Sequence, residues 1–256
     1  MLPSSEWLPH AQRLSVGMRM RMRHRNESRA NMVVANNVGK WWAYCQACKE
    51  GAVVNKDHVL LTQEVFEPAS AVMPVDVRPV MGSEYEETVG RFLIGKGMMF
   101  PYLPSLHYST SAKRLMIQDE AGCWHGRDMT GRSNRKWMNY NGARFVGSPS
   151  KFTVLTEDLF SMWKLRYATR GIKDLSVCCT LGAGVHDTAV LALRNCTRLV
   201  WAYDGDEAGD AGYTQAMRSL GIWGQQHRRL RPPQDKDPKD MTIHWLRNAV
   251  ERTLEL

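Results

Sequence analysis

The chain has no stretch of about 18 uninterrupted apolar residues, so no membrane-spanning helix is expected. Its opening "MLPSSEWLPHAQRLSVG" lacks an apolar signal core, and secretion is not expected. Cysteine is sparse: six among 256 residues, at positions 45, 48, 123, 178, 179 and 196. That spacing does not suggest a disulfide scaffold, and a reducing cytosol is the expected setting. There is no internal repeat. The hydrophobic content of 43% suffices for one large or two small cores.

Two short Pro/Gly/Ser-rich stretches read as linkers or loops: "EPASAVMPVDVRPVMGSE" at 67–84 and "GARFVGSPS" at 142–150. They divide the chain into pieces of about 1–65, 85–147 and 151–256. Charge is uneven across them. Residues 1–150 hold 19 Lys+Arg against 13 Asp+Glu, whereas 151–256 hold 15 against 13. The net charge of +8 points to a polyanionic partner, nucleic acid first, although an inert basic surface would look the same.

The third piece alternates between element types. "KFTVLTE", "DLSVCCTLGAG", "TRLVWAYD" and "QQHRRLR" read as strands. "EDLFSMWKLRYATRG" has Leu159, Met162, Trp163 and Tyr167 at helical spacing and a stop at Gly171. "VHDTAVLALRN", "DEAGDAGYTQAMRSLG" (with Gly221 as its stop) and "MTIHWLRNAVERTLEL" also read as helices. This alternation predicts a parallel α/β sheet, whose working groups collect at the C-terminal ends of the strands. Glu157, Gly182–Gly184 and Asp204–Asp206 all fall there.

"LVWAYDGDEAGDAG" sets Asp204, Asp206 and Glu207 at the mouth of a buried strand. Like charges about 4 Å apart repel by roughly 4 kcal/mol at an effective dielectric near 20, so a cation or a proton must relieve them. Asp204 and Asp206 are two residues apart and can face the same way. Gly205 between them permits a tight turn close to a ligand. Hard carboxylate oxygens with room for water suit Mg²⁺ or Mn²⁺. The same acids would also suit the first turn of a helix. "PPQDKDPKD" adds Asp235, Lys236, Asp237 and Asp240 in a rigid charged turn.

"VLTED", "AYDGDEAGDAG" and "DKDPKD" together resemble the three signature segments of the TOPRIM domain of primases, topoisomerases and certain nucleases. The resemblance covers about 100 residues. It implies that Glu157, Asp204, Asp206 and Asp237 hold Mg²⁺, with Glu157 a ligand or a proton acceptor. The first segment departs from the family pattern: Asp158 follows the Glu where Gly is usual, and Ser161 stands where an acid is usual.

The middle piece contains "RLMIQDEAGCWHGRDMTGRSNRKWMNYNG", residues 114–142. It resembles the segment that precedes TOPRIM in DNA primases of the bacterial and phage type, carried here by Gly126, Arg127, Gly131, Arg132, Lys136, Trp137, Asn139 and Tyr140. Arg127, Arg132, Arg135, Lys136 and Arg144 interleave with Trp124, Trp137 and Tyr140. Cations meet phosphates and flat rings meet bases, as a single-stranded template or a nucleoside triphosphate requires. A basic hairpin with its aromatics in the core is the alternative.

Primases of this kind begin with a zinc ribbon. "WWAYCQACKEGAVV" resembles its second half, with Cys45 and Cys48 in a C-x-x-C suited to tetrahedral zinc. His24 is the candidate third ligand, His58 and His10 are others, and the fourth is open. A ribbon that has lost its metal is the alternative. In "MRMRMRHR", a strand would put Met18, Met20 and Met22 on one face and Arg19, Arg21, Arg23 and Arg25 on the other, toward a phosphate backbone.

The resemblance therefore implies an α/β chain: a parallel-sheet TOPRIM catalytic domain (151–256), preceded by a basic α+β subdomain (85–147) and a zinc-ribbon-like β module (1–65). The implied activity is RNA primer synthesis on single-stranded DNA from ribonucleoside triphosphates, with Lys136, Arg127 and Arg132 clamping phosphates. Expected partners are the template, the primer and a separate replicative helicase, with no membrane. The expected setting is the cytoplasm of a bacterial host, during phage replication or from a prophage. The rivals are a TOPRIM nuclease and an inactivated primase that binds single strands or loads a helicase.

Overall fold

A computed structural model describes all residues except 1, 16, 26, 28, 38, 57–70, 134, 141, 221–223 and 256. Two compact units divide at 68/69. In the first, α1 (Ser4–Gln12) accompanies a four-stranded antiparallel sheet. Its strands run in sequence order: β1 (Arg19–Met22), β2 (Met32–Asn36), β3 (Lys40–Cys45) and β4 (Gly51–Asn55). Trp7 and Ala11 of α1 are buried with Met32, Val34, Ala43 and Cys45, so one helix closes one sheet face. β1 is an edge strand, and its arginines are exposed as the alternation predicts. On the other face only Met22 packs on the core, whereas Met20 is exposed.

The second unit holds two sheets. An antiparallel one runs β5 (Val77–Pro79), β6 (Leu106–Ser109), β7 (Arg114–Gln118), β8 (Trp124–Asp128) and β9 (Trp137–Asn139), with α2 (Glu86–Ile94) between β5 and β6. The other is parallel and comprises β10 (Phe152–Thr156), β11 (Leu175–Cys179), β12 (Arg198–Trp201) and β13 (Gln226–Arg229) in the order β11-β10-β12-β13. The intervening helices are α3 (Leu159–Ala168), α4 (Asp187–Leu193) and α5 (Glu207–Leu220), and α6 (Ile243–Leu254) closes the chain. Every strand and helix expected in 151–256 is present.

β10 and β12 are central and covered on both faces, which is why they read as continuous apolar runs rather than alternating ones. Val154 and Val200 face one core with α3 and α6. Leu155, Leu199 and Trp201 face the other with Ala216 and Leu220 of α5. That first core also takes Leu115 and Ile117 of β7, so the two sheets share apolar packing. α3 is buried almost all round, as a helix between layers must be. It ends at Ala168 rather than Gly171; the Thr169 hydroxyl donates to Leu165 O at 2.8 Å in its last turn. Among the described residues no helix is long and apolar enough to cross a membrane. The Gly221 stop expected after α5, and His58, lie outside the described residues.

Candidate functional site

The order β11-β10-β12 makes β10 and β12 neighbours, so the residues just beyond their C-terminal ends meet. Glu157 follows β10 and Asp204 follows β12 by three residues; the Asp204 N–H donates to Glu157 Oε1 at 3.2 Å. The turn at Gly205 is locked to the acidic turn: Gly205 N–H donates to Lys236 O at 2.8 Å, and Asp235 N–H to Gly205 O at 3.2 Å. A Cβ at Gly205 would lie 2.3 Å from Pro233 O, so only glycine fits between the turns. Gly209 is equally constrained, since a Cβ there would meet Asp204 O at 2.2 Å.

These constraints bring carboxylates together. One oxygen from each of Asp158, Asp204 and Asp237 lies within 4.8 Å of the others. Glu157 and Asp206 stand outside that group. Asp206 is exposed, and its Oδ1 accepts from Gly209 N–H at 2.8 Å, capping the first turn of α5. Asp158 caps α3: its Oδ1 accepts from Phe160 N–H at 2.8 Å, and its Oδ2 from the Ser161 hydroxyl at 2.9 Å.

The electrostatics differ from acid to acid. Burial, then Glu157 and Asp158, push the Asp204 carboxyl up to about 7. Burial also raises Glu157. Burial would raise Asp158 too, but the Lys239 ammonium and the Ser161 bonds outweigh it and hold that group low. Asp204 Oδ1 is buried with no hydrogen-bond partner among the described residues. An orphaned carboxylate oxygen beside two further carboxylates fits a hard divalent cation.

Cations surround the acids. Lys239 Nζ contacts both Asp158 and Asp237. Arg229 donates to Asp204 O at 2.7 Å and to Tyr203 O at 2.9 Å, tying β13 to the end of β12. Buried Lys164 of α3 donates to Gly97 O and Lys239 O, both at 2.6 Å, and so seats the acidic turn. None of Lys239, Arg229 and Lys164 stands out in the sequence. The signal that was present is the Asp158–Ser161 pair, a helix-cap spacing just before an apolar helix.

Residues 157–242 match the Toprim-like family, a span that contains all of these acids. This part of the chain is a Toprim-like domain. No curated protein matches the chain. Among solved structures, the zinc-binding and RNA polymerase domains of the Aquifex aeolicus primase are similar at 15% identity and a TM-score of 0.47, over 97% of this chain and 82% of that one. The RNA polymerase domain of Mycobacterium tuberculosis primase DnaG is similar at 17% identity and 0.45, over 68% and 63%. The primase fragment of the bacteriophage T7 primase-helicase is similar at 14% identity and 0.43, over 84% and 93%.

Before the Toprim-like domain, the antiparallel sheet supplies the basic residues. Arg127 of β8 stacks over Trp137 (5.4 Å) and Phe160 (5.8 Å), which sets its guanidinium beside the start of α3. Burial lowers its pKa, and the nearby Asp158 and Asp128 partly restore it. Arg132, Arg135 and Lys136 are exposed on the β8–β9 connection. Arg114, buried, donates to Ser133 Oγ at 2.9 Å and Arg135 O at 3.0 Å and gives that connection its shape. Trp137 is half-buried, edge-on to Phe160 at 5.0 Å. Tyr140 is 5% exposed and lies over Gly126, where a Cβ would meet its ring at 2.9 Å. Its place is the core.

In the first unit, His24, Cys45 and Cys48 offer ligand atoms within 4.8 Å of one another, with His24 Nδ1 3.5 Å from Cys48 Sγ. Two thiols and a buried imidazole fit zinc by donor type. His10 is outside this group.

Proposed function

We propose that this protein is a DNA primase, joining ribonucleotides on a single-stranded DNA template during replication in the cytoplasm of a bacterial host. The observation that carries the reading is the convergence of Asp158, Asp204 and Asp237 at the strand ends of a Toprim-like domain, with Arg127 beside Asp158. Phosphoryl transfer depends on positioning and charge neutralisation, and this unit has acids for the cation and bases for the phosphates.

Asp204, Asp206 and Asp237, with Glu157 or Asp158, would hold Mg²⁺ or Mn²⁺. When bound, the ion supplies charge neutralisation at the triphosphate. Glu157, raised by burial and hydrogen-bonded by the Asp204 N–H, would accept the proton of an attacking 3′-hydroxyl. Arg127, Arg132, Arg135 and Lys136 bind template or triphosphate, and Trp137 shapes that surface by fixing Arg127. A zinc-bearing first unit, through Cys45, Cys48 and His24, would contact the template with the exposed arginines of β1. A replicative helicase is the expected partner.

A second reading has one observation in its favour. Lys239 already neutralises Asp158 and Asp237, as it would in a chain that keeps the fold to bind single strands without catalysis. Incubation with single-stranded DNA, labelled ribonucleotides and Mg²⁺ or Mn²⁺ separates the readings. Short RNA products support the primase. Template shortening would make the protein a nuclease. A shifted band with neither would make it a binder.

A further inference from the structure

The four-stranded meander of the first unit puts its first and third turns at the same end of the sheet. The β1–β2 turn (23–31) carries His24 and Glu27, and the β3–β4 turn (46–50) follows Cys45 and carries Cys48. The spacing of the four is regular. His24 and Glu27 are separated by two residues, as are Cys45 and Cys48, with 17 residues between the pairs. Two x₂ knuckles about 15–20 residues apart are the spacing of a four-ligand zinc site.

Glu27 stands outside the group whose donor atoms all lie within 4.8 Å of one another, but it is close to two of its three members. Four donors around a tetrahedral zinc, at about 2.0–2.3 Å from it, lie roughly 3.3–3.8 Å from one another. Cys45 Sγ is 3.2 Å from Glu27 Oε1, His24 Nδ1 is 3.9 Å from that same oxygen, and Cys48 Sγ is 3.5 Å from His24 Nδ1. The other Glu27 oxygen, Oε2, is buried with no hydrogen-bond partner among the described residues. Lys49, directly after Cys48, has φ 56°, the left-handed turn that lets the chain fold back after the second ligand of a knuckle.

The far ring nitrogen of His24 faces a second carboxylate: Nε2 lies 3.2 Å from Glu6 Oε2 on α1, an ion-pair distance without hydrogen-bond alignment, so Nε2 still lacks a hydrogen-bond partner among the described residues. A carboxylate behind a ligating imidazole fixes its tautomer and orientation. This leaves Nδ1 free to face the sulfurs, and it makes α1 part of the metal site.

We infer that Glu27 is the fourth ligand of a Cys₂HisGlu zinc site, with His24 Nδ1, Cys45 and Cys48, and that Glu6 is the positioning residue that orients His24. Zinc binding displaces the two thiol protons to solvent and leaves a site of charge −1. Arg23 and Arg25, on the same turn and lining a hollow of about 310 Å³ with Glu6 and His24, stand next to that charge. The inference concerns the first unit alone and holds or fails whether or not the chain makes primers.

The test uses the full chain. Elemental analysis gives about one zinc per chain. Chelator competition finds zinc held at least 10-fold more weakly in Glu27→Ala, and about 10- to 100-fold more weakly in Glu6→Gln. In the Co²⁺-substituted protein the visible bands are those of a tetrahedral site. Glu27→Cys raises the thiolate-to-cobalt charge-transfer intensity by about half, as two sulfurs become three, whereas Glu6→Gln leaves that intensity unchanged. A zinc-free wild-type chain, unchanged zinc affinity in Glu27→Ala, or no gain in charge-transfer intensity in Glu27→Cys each overturns the assignment of Glu27. Unchanged affinity in Glu6→Gln overturns the role of Glu6.

Discussion

Lys239 Nζ lies 3.2 Å from Asp158 Oδ2, the oxygen that also accepts the Ser161 hydroxyl at 2.9 Å. One carboxylate thus caps a helix, anchors the acidic turn and takes part in the acid cluster. Lys239→Met removes the ammonium and keeps the stem. Breaking a largely buried ion pair from one side costs on the order of 3 kcal/mol, because the carboxylates left behind stay desolvated. The metal-free variant is expected to melt well below the wild type, and Mn²⁺ to restore more of its thermal stability than it adds to the wild type. Equal melting temperatures without metal would mean that Lys239 is not the counter-ion of the cluster.

The pH response follows from Asp204. Its folded pKa, about 7, lies above the roughly 3.9 of an unfolded aspartate, so the folded chain binds the proton more tightly. The resulting stabilisation is whole below about pH 4 and is lost as the pH rises through 7. Denaturant titration of metal-free protein should show this loss between pH 5 and 8, and Asp204→Asn should flatten it. A divalent ion competes with the same proton, so the thermal shift induced by Mg²⁺ should grow from pH 6 to pH 8. A shift that is constant over that range would place the ion away from Asp204.

Much of this site is legible in the sequence. "KFTVLTE" and "TRLVWAYD" each end in a carboxylate, and a parallel sheet brings such ends together. What local pattern cannot resolve is which acids cap helices and which face a cation. Asp158 and Asp206 both cap, and Asp158 also joins the cluster, because the acidic turn reaches it from the far end of the domain. Tyr140 is a similar case. Interleaved with Arg and Lys it resembles a base-stacking ring, and only the cross-strand Gly126, which leaves a hollow for it, shows that it belongs to the core. Glu27 escapes notice because a carboxylate in the place of a cysteine does not complete a C-x-x-C pattern.

The exposed cations of the β8–β9 connection should reveal themselves through salt. Each phosphate neutralised on a single strand contributes about −0.7 to the slope of log affinity against log salt. Changing Arg132, Arg135 and Lys136 together to Ala should therefore make the slope for single-stranded DNA shallower by about 2, with the melting temperature unchanged because all three are exposed. An unaltered slope would remove this connection from the template path.

Gly205 tests the joint between the two acidic segments. Gly205→Ala places a methyl 2.3 Å from Pro233 O and 2.9 Å from Pro232 O, both backbone atoms that cannot step aside alone. Overpacking of this kind costs about 1–3 kcal/mol. The variant should remain folded, with its Mg²⁺-induced thermal shift reduced, because Asp237 moves away from Asp204. A full shift in the variant would show that the 232–237 turn is not needed to assemble the cation site.

Asp204 and Asp206 can be told apart by their asparagine variants. Asparagine caps a helix about as well as aspartate, so Asp206→Asn should keep the Gly209 bond and change stability by less than about 0.5 kcal/mol. Asp204→Asn instead removes the orphaned buried carboxylate and should raise metal-free stability at pH 8. If both aspartates hold the ion, both variants lose primer synthesis while keeping single-stranded DNA affinity, since neither touches Arg132, Arg135 or Lys136. If Asp206→Asn makes primers at the wild-type rate, Asp206 only caps α5, and the cation belongs to Asp158, Asp204 and Asp237, the three whose oxygens already converge.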